Sequence, residues 1–245
     1  MLHFISDLHL CHQQPQLLKL FKHYMQEIAP TSDQLYILGD LFEVWLGDDA
    51  VNANLPDSDI YQQSIQLIRD YSDNQGDVFV MHGNRDFLLA TDFAKQSGAS
   101  LLPEVYILEL FNKKIGLMHG DSLCTDDTDY QAFKTMVRDP IWQQDFLKLD
   151  LDKRVQIASA LRQQSQQQQK QKTMTIMDVN TDAVINIMQT EQLDILIHGH
   201  THRQKTHSLK ISPKNVQRIV LSDWNQQGFY LAMDEQGFSE NYFNC

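Results

Sequence analysis

Cysteine is scarce in this chain, and so is positive charge. Cys11, Cys124 and Cys245 lie far apart and form no CxxC pair. That excludes a disulfide framework and a cysteine zinc knuckle, and points to a reducing compartment. Lys and Arg number 20 against 32 Asp and Glu, a formal net charge of -12. A nucleic-acid binder needs a basic stripe, so no nucleic-acid partner is expected. No apolar run reaches the roughly 18 residues that a membrane-crossing helix needs. The amino-terminal MLHFISDLHL has no basic lead and places His3, Ser6, Asp7 and His9 within its apolar run. It reads as a buried strand and not as a signal peptide. Internal repeats and Gly/Ser linkers are also missing. These absences leave one domain over residues 1–245, soluble or peripheral to a membrane, cytoplasmic and long enough to bury a sizeable core.

Short β runs alternate with amphipathic helices, the pattern of an α/β protein. Strands are predicted over 2–6, 35–38, 78–81, about 104–111, 114–118 and 193–197, with more at 219–221, 229–233 and the last residues. Helices are predicted from Pro15 to just before Pro30, over 60–72 and over about 181–192. The stretch from about 125 to 180 breaks the alternation. Phe133, Met136, Val137, Ile141, Trp142, Phe146, Leu147, Leu151, Val155 and Leu161 recur there at helical spacing, before a glutamine-rich run from Gln163 to Gln171. It reads as a helical insertion.

Residues suited to metal ligation cluster just past predicted strands: Asp7-x-His9, Gly39-Asp40, Gly83-Asn84-Arg85-Asp86, His119-Gly120-Asp121 and His198-Gly199-His200. Ligands of open α/β sheets bind beyond the carboxyl ends of strands, so five such loops can converge on one site. A lone Asp-x-His is more often a turn, but five motifs in this order are hard to explain structurally. Carboxylates, imidazoles and an Asn carbonyl without thiolate suit Mn²⁺, Fe or Zn. The candidate ligands Asp7, His9, Asp40, Asn84, His119, His198 and His200 are too many for one tetrahedral ion. They suit two ions sharing a carboxylate, as in two-metal hydrolases. His82, His202 and His207 are read as ordinary structural histidines.

The ordered set Asp-x-His, Gly-Asp, Gly-Asn-[His/Arg]-Asp, His-Gly and Gly-His-x-His resembles the calcineurin-like metallophosphoesterases. The resemblance implies a four-layer sandwich of two mixed β-sheets flanked by helices, with the helical insertion as a lid. It also implies one ion on Asp7, His9, Asp40 and His200, and a second on Asp40, Asn84, His119 and His198. Protein phosphatases of the family carry a candidate acid, His, after the Asn; this chain has Arg85. Arg cannot give up its proton, but its planar fork grips phosphate oxygens. A leaving group that departs unprotonated, such as a phosphate monoester, is therefore expected, and Asn84 and Arg85 are the expected catalytic pair.

The blocks ISDLHL, YILGDLFEVWLGDD, HGNRDFLL, LMHGDSLCTDD, IMDVN and LIHGHTHR resemble a narrower branch, the diphosphatases of UDP-activated diacylated glucosamine in lipid A synthesis. That resemblance implies water attack at the α-phosphorus, releasing UMP and the diacylglucosamine 1-phosphate (lipid X), with two Mn²⁺ ions. It implies a monomer in peripheral contact with the cytoplasmic face of the inner membrane. Substrate contacts would fall on Asn84, Arg85, Asp127, Ser165, Lys172 and His198, and on Gln169, where the branch has the shorter Asn. Residues 131–172 carry eight Lys/Arg against four Asp, a net +4 inside an acidic chain, which suits an anionic lipid; counting from Asp121 cancels that excess. The rival enzyme is a soluble nucleotide-diphosphate hydrolase acting on ADP-ribose or a CDP-alcohol, and the rival of another class is a non-catalytic metal-binding scaffold.

Overall fold

The computed structural model describes residues 1–171 and 178–245, without the side chains of 164 and 166–171. Two mixed sheets form among these residues. In the first, β1 (Leu2–Ile5), β2 (Gln34–Leu38), β3 (Asp77–Met81) and β4 (Ser100–Leu102) run parallel. Antiparallel β10 (Gly228–Asp234) and β11 (Gly237–Phe243) extend it in the order β11-β10-β1-β2-β3-β4. The second comprises β5 (Tyr106–Leu110), β6 (Lys113–Met118), β7 (Ile195–His198), β8 (Lys205–Ile211) and β9 (Lys214–Val220), in the order β5-β6-β7-β9-β8. All four residues of β1 and of β7 are buried, as expected of parallel strands covered on both faces. Apolar residues of both sheets belong to one core.

Helices α1 (Pro15–His23), α2 (Ser58–Asn74), α3 (Thr91–Ser97) and α7 (Thr181–Thr190) complete the alternation. Between β6 and α7 come α4 (Thr128–Arg138), α5 (Pro140–Leu147) and α6 (Leu151–Gln171). Asp127 caps α4, accepting from the Tyr130 amide at 3.1 Å. Asp139 caps α5 through the Ile141 and Trp142 amides, with Pro140 at the first helical position, where its missing N–H is not needed. Arg154 of α6, almost fully buried, forks onto both Asp49 carboxylate oxygens at 2.7 and 2.8 Å and donates to the Leu46 and Leu147 carbonyls. Arg138 of α4 donates to the Gly83 carbonyl at 2.9 Å. The helices between β6 and α7 are thus tied to the loops that carry Asp40 and Asn84.

Three elements differ from the sequence reading. The helix from Pro15 does not run unchanged to Pro30: Tyr24–Ile28 widen into a π-turn and Ala29–Thr31 tighten into a 3-10 turn. Pro30 lacks the N–H that an α-turn would use. The short α3 and β4 had no clear periodic signal. The edge strand β8, Lys205–Ile211, exposes alternate polar positions and buries only Ile211, so no apolar run announces it. Among the described residues no helix is long and apolar enough to cross a membrane.

Candidate metal centre

Strand register brings the motif loops together. Leu2 to Ile5 pair level with Gln34 to Ile37, so the loops bearing Asp7 and Asp40 leave the sheet side by side. The Asp7 amide donates to the Gly39 carbonyl and the His9 amide to the Asp40 carbonyl. In the second sheet Met118 pairs with His198, which sets His119 beside Gly199. The backbone is bent hard at these points. Asp7, His9, Asp40, His200 and His202 all hold positive φ, between 50° and 67°. Non-glycine residues rarely adopt that region, and functional sites are where such strain concentrates. Two glycines allow the close approach: a Cβ on Gly83 would lie 2.0 Å from Asp40 Oδ1, and one on Gly199 2.2 Å from Asp7 Oδ2.

Asp7, Asp40 and His119 are each anchored by one atom and present another. Asp7 Oδ2 accepts from Ser6 Oγ at 2.7 Å and from the His200 amide at 2.9 Å. Its Oδ1 is buried without a hydrogen-bond partner and faces His202 Nε2 at 3.3 Å and His9 Nε2 at 3.9 Å. Asp40 Oδ1 accepts from the Arg85 amide at 2.8 Å, while Oδ2 faces His9 Nε2 at 3.8 Å and His119 Nε2 at 3.7 Å. His119 donates from Nδ1 to the Leu38 carbonyl at 2.9 Å. Asn84 Oδ1 lies 3.0 Å from His119 Nε2 and 2.9 Å from His200 Nδ1. Two donor groups result, joined at Asp40: Asp7, His9 and His202 on one side, Asn84, His119 and His200 on the other. Oxygen and nitrogen donors without thiolate, converging with an unbonded carboxylate oxygen between imidazoles, fit a pair of divalent cations.

One expected ligand is not part of this arrangement. His198 Nδ1 donates to the Gly199 carbonyl at 2.9 Å, and Nε2 lies 3.4 Å from the Arg218 guanidinium. With one nitrogen donating and the other facing a cation, no lone pair is presented to an ion. His202, read from sequence as a structural histidine, stands in the cluster instead. The glycine of the Gly-His-x-His pattern was the available signal: Gly199 precedes His200, which aligns the pattern on His200 and His202. His82, by contrast, is tied to the Leu89 carbonyl at 2.7 Å. Asp86 is a supporting residue that sequence reading left without a role. Fully buried, it accepts from the Gly83 amide at 2.8 Å and the Leu41 amide at 2.7 Å, locking the Asn84 and Asp40 loops together.

Electrostatics follow from burial among imidazoles. Burial pushes the Asp40 carboxyl up to about 6, with His119 and His9 pulling the other way. Burial would raise Asp7 too, but the adjacent His202, His119 and His9 hold it well below the usual carboxylate range. Burial alone would lower His9; Glu43, Asp40 and Asp7 outweigh it and raise the ring to about 9. Burial lowers His200 to about 3. Without ions, protons on His9 do part of the charge neutralisation that cations would do.

Beside Asn84 and Arg85 opens a cavity of about 250 Å³. Trp45, Phe87, Leu88, Phe133, Trp142, Phe146, Val155 and Leu161 line it, with Arg162 and Ser165 of α6. Trp142 stacks on Phe146 with ring centres 5.1 Å apart. Of the expected substrate contacts, Asn84, Arg85 and Ser165 border this cavity. Asp127 is engaged as the α4 cap, and His198 is buried behind the cluster. Lys172 and the side chain of Gln169 lie outside the described residues.

A family profile described as calcineurin-like phosphoesterase matches residues 2–204. UDP-2,3-diacylglucosamine hydrolases of Escherichia coli O127:H6 (strain E2348/69 / EPEC) and Shigella sonnei (strain Ss046) are each 44% identical over 225 residues, 92% of this chain and 91% of theirs. Among solved structures, an archaeal phosphodiesterase aligns over 99% of both chains with a TM-score of 0.48 at 12% identity. That likeness is too loose to bear on function.

Proposed function

Because this chain belongs to the calcineurin-like phosphoesterase family, we propose that its convergent loops form a two-metal centre that hydrolyses the diphosphate of UDP-2,3-diacylglucosamine. Its similarity to hydrolases of that name extends over nine-tenths of the chain. The observation that carries the substrate class is the juxtaposition of an apolar cavity with Asn84 and Arg85 at the edge of the metal cluster. A water-soluble nucleotide-diphosphate has no use for such a cavity, whereas two acyl chains do. Each buried methylene contributes about 0.8 kcal/mol, so the chains would supply much of the binding energy.

One ion would be held by Asp7, His9, Asp40 and His202, the other by Asp40, Asn84, His119 and His200. When bound, the ions supply Lewis acidity and an activated water for in-line attack on phosphorus; Mn²⁺ suits this hard oxygen and imidazole donor set. Arg85, bordering the cavity with its amide fixed on Asp40, is assigned to the phosphate oxygens, where a guanidinium fork offsets developing charge. Attack at the α-phosphorus makes the sugar 1-phosphate the leaving group, and a phosphate monoester departs without a proton donor. The helices α4–α6, inserted in the single domain, form the acyl-side wall. Met136, Ile141 and Leu147 of α4 and α5 are exposed apolar side chains, close in sequence to Arg138 and Lys148. They support peripheral contact with the cytoplasmic face of an anionic inner membrane.

The test is a substrate comparison with the purified chain and Mn²⁺. Turnover of UDP-2,3-diacylglucosamine, lost on chelation and at least about a hundredfold faster than that of ADP-ribose or a CDP-alcohol, is expected. Preference for the soluble diphosphates would overturn the assignment.

A further inference from the structure

Glu43 sits between two elements that the proposed reaction uses separately. Its Oε2 lies 2.8 Å from His9 Nδ1, and its Oε1 lies 2.9 Å from Arg162 Nη2 on α6. The carboxylate is only 10% exposed and borders the apolar cavity, as does Arg162. Its position is set by backbone pairing. Leu10 and Phe42 form an isolated parallel bridge, and the Glu43 amide donates to the Leu10 carbonyl at 3.2 Å. The loop that carries Asp40 therefore delivers Glu43 against the loop that carries His9.

The first consequence concerns the His9 ring. The Nδ1–H is not aligned for a hydrogen bond to Oε2, but a carboxylate at 2.8 Å favours the proton on Nδ1, which leaves Nε2 facing Asp7, Asp40 and His202. Such outer carboxylates fix ring orientation and raise ligand basicity. The second consequence concerns α6. Arg154, Ala158, Arg162 and Ser165 recur three or four residues apart along one face, with Val155 beside Arg154. Arg154 pins that face to Asp49, and Arg162 pins it again about 12 Å further along, on Glu43. Val155 and Ala158, between the pins, line the cavity.

We propose that Glu43 is a positioning residue with two roles: one oxygen fixes the His9 ring for metal ligation, and the other tethers the cavity wall α6 to the same ligand. This rests on the two-metal reading of the site. The experiment compares the full chain with Glu43→Gln, Arg162→Gln and the double variant. It measures Mn²⁺ affinity by calorimetric titration of metal-free protein, and kcat and KM on UDP-2,3-diacylglucosamine. Glu43→Gln should weaken Mn²⁺ binding about tenfold or more and raise KM. Arg162→Gln should leave Mn²⁺ affinity within about twofold and raise KM by a similar factor. If the tether is shared, the double variant has the KM of Glu43→Gln alone. Unchanged Mn²⁺ affinity in Glu43→Gln, or KM effects that multiply in the double variant, would overturn the proposal. If Glu43→Gln does not fold, Glu43→Asp, which keeps the charge and shortens the reach, is read in its place by the same criteria. A wild-type chain that binds no Mn²⁺ defeats the two-metal reading itself, whereas Mn²⁺ binding insensitive to Glu43 defeats only this inference.

Discussion

Asp40 is the residue on which both donor groups depend, because its Oδ2 faces His9 and His119 at nearly equal distance. Around it, the histidine pair after β7 separates the two assignments sharply. His202→Ala should lower Mn²⁺ content and reduce turnover at least about a hundredfold, whereas His198→Gln should keep both ions. Elemental analysis of the two purified variants checks this, and retention of both ions by His202→Ala would restore His198 as the ligand. Protons compete with a metal ion for His9. In the metal-free protein His9 is raised from 6.5 to about 9, so the folded chain binds that proton more tightly than the unfolded chain. The resulting stabilisation is fully present below about 6.5 and is lost as pH rises through about 9. An ion needs the neutral ring, so Mn²⁺ affinity should climb between about pH 6.5 and 9; an affinity flat across that window would contradict the ligand role of His9. Most of the cluster was legible in the sequence because its ligands follow strands, and Asp40, Asn84, His119 and His200 also stand beside a glycine. His202 was signalled only by the glycine of Gly-His-x-His, and the doublet His198-Gly199-His200 competes with that cue in one dimension. The hydrogen bonds of the His198 ring, one to a carbonyl and one toward Arg218, take it out of the ligand set.

Strands and helices with strong periodicity were readable, and those whose identity depends on neighbours were not. Leu35–Leu38 and Ile195–Ile197 are buried runs that announce themselves. β8 is polar and exists because β9 offers an edge, with Lys205 to Ile211 paired along Val220 to Lys214. The helical character of residues 128–171 was visible, but its anchoring was not. Arg154, Arg138 and Arg162 are ordinary surface-type residues until partners over a hundred positions away, or fifty-five for Arg138, come into reach. A prediction belongs to this element. Trp142→Gln or Phe146→Gln places a polar group in the apolar wall, and should lower kcat/KM for the diacyl substrate at least about tenfold more than for a short water-soluble UDP-sugar. The measurement is kcat/KM on both substrates. Equal losses on the two would reduce α4–α6 to a structural brace.

Across the molecule, two sheets share one core and place their motif loops at one end, so chemistry sits on rigid strand ends while α4–α6 supply one wall of the apolar cavity and the loops around Trp45 and Phe87 another. The net charge of -12 counts the buried ligand carboxylates as bare, and bound divalent ions would offset part of it. The reaction proposed for this centre is hydrolysis of a lipid-linked diphosphate by attack at the α-phosphorus. It is tested most directly by reacting UDP-2,3-diacylglucosamine with the Mn²⁺-loaded chain in oxygen-18 water and weighing both products by mass spectrometry. One heavy oxygen in UMP, with an unlabelled diacylglucosamine 1-phosphate, is the predicted result. Label in the lipid phosphate, or no turnover, would contradict it.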